Sequence, residues 1–441
     1  MRDQGDGVVV ACTPPDPSKD LVFRLAAWRL LLRMRKRVAG FLPSSERITG
    51  SKRRSGAGRP VDLPADPRDL ACAYRGDDGS YYSYYSSLLN QTSSLADCVR
   101  IEAYRECLDR NADNFAGKVV LEVGCGLGLL TILAARAGAR RVYAVEASAS
   151  AAHHARRLVA AHGLENVVTV VSGVAETADI PEQVDIILSE FMGDFLLGGS
   201  MIESLVLARD KFLKPDGAVY PSRCEMFLAA ACSPGSVEPG LGAYEGVLRE
   251  FREAGEQLTA DFDIDLGALS DAFEQEVRDQ TLRLSCGAQL EPRDLLGAPV
   301  MVKEIDLQTA MLDEVRAVTA GFEINLGAAA ESGGRGGGER VLNLWVGWFA
   351  IAFEGSPASP CRSTMRCDFG PLSDRGHPQL YQEGFVVHPP VPLGGARSIE
   401  GTFEMSRRPG NWRQYDVRIA HLVRLEGGRI GAEADSTYHL N

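Results

Sequence analysis

The stretch "KVVLEVGCGLGLLTILAARAGARRVYAVEAS", Lys118 to Ser148, alternates strand-like and helix-like sequence around a glycine loop. An apolar run, Val119–Val123, ends on Glu122-Val123 and enters a loop with three glycines, Gly124-Cys125-Gly126-Leu127-Gly128. Helical sequence follows, and then a second apolar run that ends on Glu146. Glycines there let the backbone turn sharply and let a ligand approach the start of the next helix. Glu146 ends its strand twenty residues after Gly126, the place for a bidentate grip on a ribose diol. A dinucleotide site wants GxGxxG, but Leu stands at 129, and no GK[ST] marks a nucleoside-triphosphate loop. A lone glycine loop can be a tight turn without a ligand. Strand, loop, helix, strand and acid in register outweigh that reading.

Working outward, further apolar strands lie near Val167–Val171 and Val184–Leu188, with helical sequence between. Strands alternating with helices imply a doubly wound parallel sheet. After about Pro221 the chain becomes strand-rich, and "RVLNLWVGWFAIAF" (Arg340–Phe353) carries apolar and aromatic residues on both faces. Tyr244, Val247, Leu248 and Phe251 form an apolar stripe at helical spacing, expected to pack against a second subunit, with packing inside the chain as the alternative. "AAAESGGRGGGER" (Ala328–Arg340) reads as a loop tip built from permissive residues, with Arg335 flanked by glycines.

Composition sets bounds. The 441 residues suffice for two or three domains, and 45% apolar content is that of a globular chain. A net charge of −12 argues against a direct nucleic-acid binder. Residues 1–78 hold 15 Lys/Arg against 10 Asp/Glu, net +5, which leaves −17 on the rest. That prefix, with a basic helical run at Leu21–Gly40 and a linker-like segment after it, is expected to be a partly disordered extension. The ten cysteines show no CxxC spacing, so neither a disulfide framework nor a metal site is expected. No apolar stretch reaches membrane-spanning length, and the first residues make a poor secretory signal. The expected compartment is the cytoplasm, with the nucleus as a second.

Glu122 before a GxGxG loop resembles motif I of S-adenosylmethionine (AdoMet) methyltransferases. Residues about 79–220 together resemble the protein arginine N-methyltransferases. "YYSYY" (Tyr81–Tyr85) is similar to that family's tyrosine-bearing first helix. "DCVRIEAYR" (Asp97–Arg105) is similar to its next helix, in which Arg100 would pair with the methionyl carboxylate of AdoMet. The resemblance implies cofactor contacts at Arg100, Glu122, Gly124, Cys125, Gly126, Gly128, Glu146 and Ala147. "GVAETADIP" adds Val174, Ala175 and Glu176 around the adenine. "ARDKFLKPDGAVYPSR" (Ala208–Arg223) resembles the family's passage into a β-barrel. The implied architecture is α/β + β: a Rossmann-like AdoMet domain over 79–220, then a β-barrel over 221–441 with a helical dimerisation arm at about 237–285. The implied partners are arginine-glycine-rich protein substrates and a second family subunit, in a homodimer or a heteromer with an active enzyme.

"SEFMGDFLLGGSM" (Ser189–Met201) resembles the family's double-glutamate hairpin, but only in part. A guanidinium is planar, permanently charged and presents donors in a fixed fork, so two carboxylates grip two of its edges. Glu190 is present, with Met192 and Met201 matching around it; Gly199 stands where the second acid belongs. "GNWRQ" (Gly410–Gln414) stands where the family reads Thr-His-Trp, so Asn411 replaces the histidine and Trp412 is kept. The resemblance packs that position against Asp97. Gln91 and Ser94 depart from the family's His and Met beside the substrate. About forty extra residues near Gly355–Ile399 are expected to interrupt the barrel, which is expected to stop a hairpin short at Asn441. Losing one partner of a desolvated charge pair costs about 3–5 kcal/mol, roughly two to four decades in rate. Glu203 and Asp194 are the candidate replacements for the missing acid. The expectation is an intact cofactor half and an eroded arginine half, in a chain that serves as regulatory partner to an active enzyme. The alternative is an active arginine methyltransferase working with Glu190 as its remaining clamp.

Overall fold

The computed structural model describes residues 78–326, 340–373 and 382–440. The basic run at 21–40, its linker and Arg335 lie outside those residues. Helices α1 (Asp78–Ser86), α2 (Thr92–Ala96), α3 (Cys98–Arg110) and α4 (Ala112–Phe115) lead into strand β1 (Val119–Val123). Then come α5 (Leu129–Arg136), β2 (Arg141–Glu146), α6 (Ala149–Ala161), β3 (Val168–Ser172), β4 (Val184–Leu188), α7 (Met201–Phe212) and β5 (Leu213–Tyr220). These strands form one sheet in the order β3-β2-β1-β4-β5, all pairs parallel. All five residues of β1 are buried, as a central strand covered on both faces requires. The strand order reverses between β1 and β4, and such a switch point opens a crevice at the carboxyl ends of the strands.

Local sequence explains the helices that flank this crevice. Gly128 caps α5 with φ +84°, and a Cβ there would stand 3.4 Å from that of Ala155. Ser148 caps α6, its Oγ accepting from the Ala151 N–H at 3.3 Å. Ala151, Ala152, Ala155 and Val159 make the buried stripe of α6, so the helix lies close on the sheet.

Two residues after β5 the chain enters antiparallel structure. The remaining elements are β6 (Arg223–Ala231), α8 (Pro234–Phe262), α9 (Ser270–Thr281), β7 (Cys286–Gly287), β8 (Val300–Asp306), β9 (Ala317–Asn325), β10 (Val341–Gly355), β11 (Pro360–Asp368), β12 (Glu383–Pro392), β13 (Ala396–Arg408), β14 (Asn411–Leu425) and β15 (Ile430–Leu440). One sheet runs β7-β12-β10-β6-β8 with β11 on β10, and the second runs β15-β14-β13-β9. Strand β10 has apolar residues on both faces because both are covered. Trp345, Phe349, Ile351 and Phe353 belong to the main core, while Leu344, Val346 and Trp348 face a second cluster under α8 and α9.

Two expectations change here. The stripe on α8 is covered within the chain. Tyr244 is buried and donates to Glu274 Oε1 at 2.8 Å, and Phe251 stacks on Phe273 at 4.0 Å. Val247 and Leu248 are half-buried against the cluster of Leu344, Val346 and Trp348. The apolar side chains that stand exposed are Phe262, Ile264 and Leu269, where α8 gives way to α9. Helical spacing finds an apolar face but does not say what covers it. The segment 355–399 also builds the barrel rather than interrupting it, since β11 and β12 both pair with β10.

Candidate cofactor and arginine site

A cavity of about 580 Å³ opens at the switch point and runs from the glycine loop to α1 and β14. Its cofactor side is built from three strand ends. After β1, Gly124, Cys125 and Gly126 line the wall; after β2, Glu146 and Ala147; beyond β3, Val174, Ala175 and Glu176. Glu122 and Arg100 line it as well. Gly128 does not, and its part is the cap of α5.

Glu146 is held by two backbone donors, the N–H of Gly126 to Oε2 at 2.8 Å and the N–H of Ser148 to Oε1 at 2.7 Å. Burial raises its pKa, and those donors act against the rise. Glu122 is fully buried, takes a hydrogen bond from the Thr131 hydroxyl, and is pushed up to about 8 by desolvation. Gly126 sits at φ +53°, and a Cβ there would meet nothing within 4 Å. The loop therefore leaves a cradle open toward the cavity. Strand-end carboxylates, an open glycine cradle and the Arg100 cation fit an AdoMet molecule, with its ribose at Glu146 and its amino-acid end toward Arg100.

The arginine side begins one residue past β4. Ser189 is fixed by its Oγ donating to the Val123 carbonyl at 2.7 Å, while its own carbonyl accepts from Tyr104 at 2.8 Å. Glu190 follows and accepts from Arg100 Nη1 through Oε2. Its Oε1 is buried and has no hydrogen-bond partner among the described residues. Desolvation raises the pKa of Glu190, with Arg100 opposing and Asp97 adding to the rise. One buried acceptor waiting in a cavity is half of a guanidinium clamp.

The hairpin that carries Glu190 keeps an unusual backbone. Phe195, Leu196, Gly199 and Ser200 all have positive φ, at 45°, 69°, 75° and 56°. Three of these are not glycine, and each costs on the order of 1–3 kcal/mol unless its surroundings hold it. They do so. Phe195 packs with Phe385 and Phe403, Ser200 Oγ donates to the Trp412 carbonyl at 2.8 Å, and a Cβ on Gly193 would stand 1.8 Å from the Gly198 oxygen. Packing thus holds the hairpin's shape, and position 199 carries no side chain.

Position 199 has other neighbours. A Cβ on Gly199 would lie 3.3 Å from the Tyr81 ring, and its carbonyl accepts from Arg413 Nη1 at 2.6 Å. Arg413, a residue that the sequence reading passed over, is buried and lines the cavity. Its Nη2 donates to Tyr82 Oη at 2.9 Å, and its guanidinium carbon lies 4.0 Å from the Tyr81 ring centroid and 4.1 Å from that of Trp412. Its position two residues into β14, after a turn, was a visible signal; the aromatic cage around it was not.

Met192, Met201, Asn411, Gln91 and Ser94 line the cavity, and Trp412 stands behind Arg413 rather than in the wall. Asp97 does not line it and shows no bond to Asn411. It caps α3, accepting from the Arg100 N–H at 3.3 Å, and Asn411 Oδ1 accepts from the Arg413 N–H at 3.2 Å. Of the two replacement acids, Glu203 points away. It is buried between Arg316, at 3.0 Å, and Arg407, both from the barrel. Asp194 lines the cavity, exposed at its rim.

A parallel-sheet domain with a glycine loop and ribose acid, joined to an antiparallel barrel, defines an AdoMet-dependent methyltransferase of two-domain type. Residues 120–217 match the family model described as a methyltransferase domain, and residues 262–426 match that of the arginine methyltransferase oligomerization subdomain. The chain is 34% identical over 353 residues to protein arginine N-methyltransferase PRMT10 of Oryza sativa subsp. japonica, covering 80% of this chain and 90% of that one. Against PRMT10 of Arabidopsis thaliana it is 32% identical over 379 residues, 86% and 94% of the two chains. The solved structure of Arabidopsis thaliana protein arginine methyltransferase 10, described as a uniquely open conformation, superimposes with a TM-score of 0.75 at 31% identity, over 81% of this chain and 99% of that one. The Trypanosoma brucei PRMT1 enzyme-prozyme heterotetrameric complex with AdoHcy gives 0.62 at 25% identity, over 81% and 99%. The chain belongs to the protein arginine N-methyltransferase family.

Proposed function

We propose that this chain binds AdoMet in the switch-point cavity and acts as the regulatory partner subunit of a heteromeric protein arginine methyltransferase, its own turnover impaired. The observation that carries the reading is at Gly199. It offers no carboxylate where the guanidinium clamp needs its second one, and its carbonyl is already taken by Arg413. The bound cofactor would supply an electrophilic methyl on a sulfonium. On the protein side, Gly124, Gly126 and Glu146 orient it, Arg100 takes its carboxylate, and Glu190 is left to hold the incoming guanidinium alone. One clamp fixes one edge, and the nitrogen that must face the methyl group stays free to swing, where near-attack geometry tolerates little displacement.

Two further observations support a partner role. The similar Trypanosoma brucei protein is part of an enzyme-prozyme heterotetramer. The α8–α9 pair leaves Phe262, Ile264 and Leu269 exposed where the two helices meet, apolar surface suited to a second subunit. A second reading, an active enzyme on glycine-arginine-rich proteins, rests on Asp194 at the cavity rim as a displaced second acid. A methyl-transfer assay on the pure chain, alone and mixed with an active family member, tests both. Stimulation of the active member by a chain that is itself silent supports the first. Robust turnover by the pure chain that Asp194→Asn abolishes supports the second.

A further inference from the structure

We propose that Arg413 is a specificity-determining residue, a resident guanidinium that keeps arginine side chains out of this cavity. The inference rests on the cofactor-binding, impaired-enzyme reading above and says what enforces it. Arg413 is buried in the cavity wall and uses what a bound guanidinium would use: a carbonyl acceptor at Gly199, 2.6 Å away, and the faces of Tyr81 and Trp412, about 4 Å away. Tyr82 Oη, accepting at 2.9 Å, holds its other nitrogen. An arginine entering to reach Glu190 Oε1 does so in the cavity that Arg413 also lines, and meets a fixed cation there. Glu190 gives little compensation, since Arg100 already pairs with it. Like charges brought together in such a site repel, and binding weakens accordingly.

The missing glutamate and the resident arginine form one unit. With Arg413 in place, a carboxylate added at 199 is aimed at a cation already in contact with that residue's backbone. It pairs there before any substrate arrives. Replacing the acid alone leaves the site closed to arginine.

The test measures binding, which separates it from turnover. A fluorescent glycine-rich peptide with one arginine, and the same peptide with the neutral isostere citrulline, are titrated into the full chain with S-adenosylhomocysteine present. We expect the wild type to bind the citrulline peptide at least as tightly as the arginine peptide, although the acidic body of the chain favours the more basic one. Arg413→Gln should tighten the arginine peptide about tenfold or more and leave the citrulline peptide unchanged, whereas Arg413→Lys, which keeps the charge, should behave as wild type. A wild type that prefers arginine tenfold overturns the proposal, as does an Arg413→Gln chain that holds S-adenosylhomocysteine yet gains nothing for arginine. If Arg413→Gln no longer binds S-adenosylhomocysteine, the wild-type preference decides alone. Robust methylation by the pure chain would bring down the impaired-enzyme reading itself. Silence combined with an arginine preference would bring down only the role of Arg413.

Discussion

Arg100 and Glu190, ninety residues apart, meet in an ion pair that joins the cofactor half of the cavity to its arginine half. Arg100 lies in the first turn of α3, where Asp97 caps the helix and also lies 3.8 Å from Arg100 Nε. Its Nη2 donates to the Ser94 carbonyl at 2.6 Å, so the guanidinium is held from three sides. A methionyl carboxylate arriving at Arg100 would compete with Glu190 for it. Cofactor binding would thereby be coupled to the freedom of Glu190.

Cofactor binding should depend on Glu146. A hydrogen bond to a charged group is worth about 1.5–3 kcal/mol, so the net loss of one with Glu146→Ala should weaken S-adenosylhomocysteine by roughly tenfold to a hundredfold in titration calorimetry. Unchanged affinity would place the ribose elsewhere.

Turnover by the pure chain on a glycine-arginine-rich peptide should be roughly two to four decades below that of an active family member, the cost of one missing clamp. Gly199→Glu with Asn411→His should restore little, because Arg413 still bonds the residue-199 backbone, and any Cβ at φ +75° is strained and close to Tyr81. Adding Arg413→Gln to that pair should give the first substantial rate. Full recovery by the double variant would show that Arg413 is neutral.

Association should run through the arm end rather than through the stripe on α8. Phe262→Asp with Leu269→Asp should dissociate the chain from its partner subunit in sedimentation while leaving circular dichroism unchanged. Val247→Asp should instead lower thermal stability, since Val247 packs inside the chain. A complex that survives the arm-end changes would move the interface elsewhere.

Stability of the ligand-free chain should fall as pH rises from about 4.5 to about 8. Desolvation raises Glu122 from 4.5 to about 8, so the folded state holds a proton across that window that the unfolded state has released. Glu383, also raised to about 8 by desolvation, acts in the same direction. Glu122→Gln should flatten the slope of melting temperature against pH. A slope identical to wild type would mean that Glu122 is charged in the fold.

Much of this protein is local information. The glycine loop, Glu146 at a strand end, and the alternation of β-prone and helical runs are set by backbone sterics and by residues within about thirty positions of each other. The doubly wound sheet, the nucleotide crevice and the absence of an acid at 199 can therefore be read without the tertiary structure. The sequence by itself could not say which side of each element would be covered, because coverage depends on partners from other elements of the chain. The stripe on α8 is closed by α9 and β10, Glu203 is turned away from the cavity by Arg316 and Arg407, and 355–399 pairs into the barrel. Arg413 is the sharpest case. Its neighbours come from α1, from the β4–α7 hairpin and from its own strand, and only the closed fold brings a carbonyl, a hydroxyl and aromatic faces around one cation. A site emptied of one charge is visible as a substitution. What stands near the vacated position is decided by long-range packing, where burial and charge pairing outweigh any local preference.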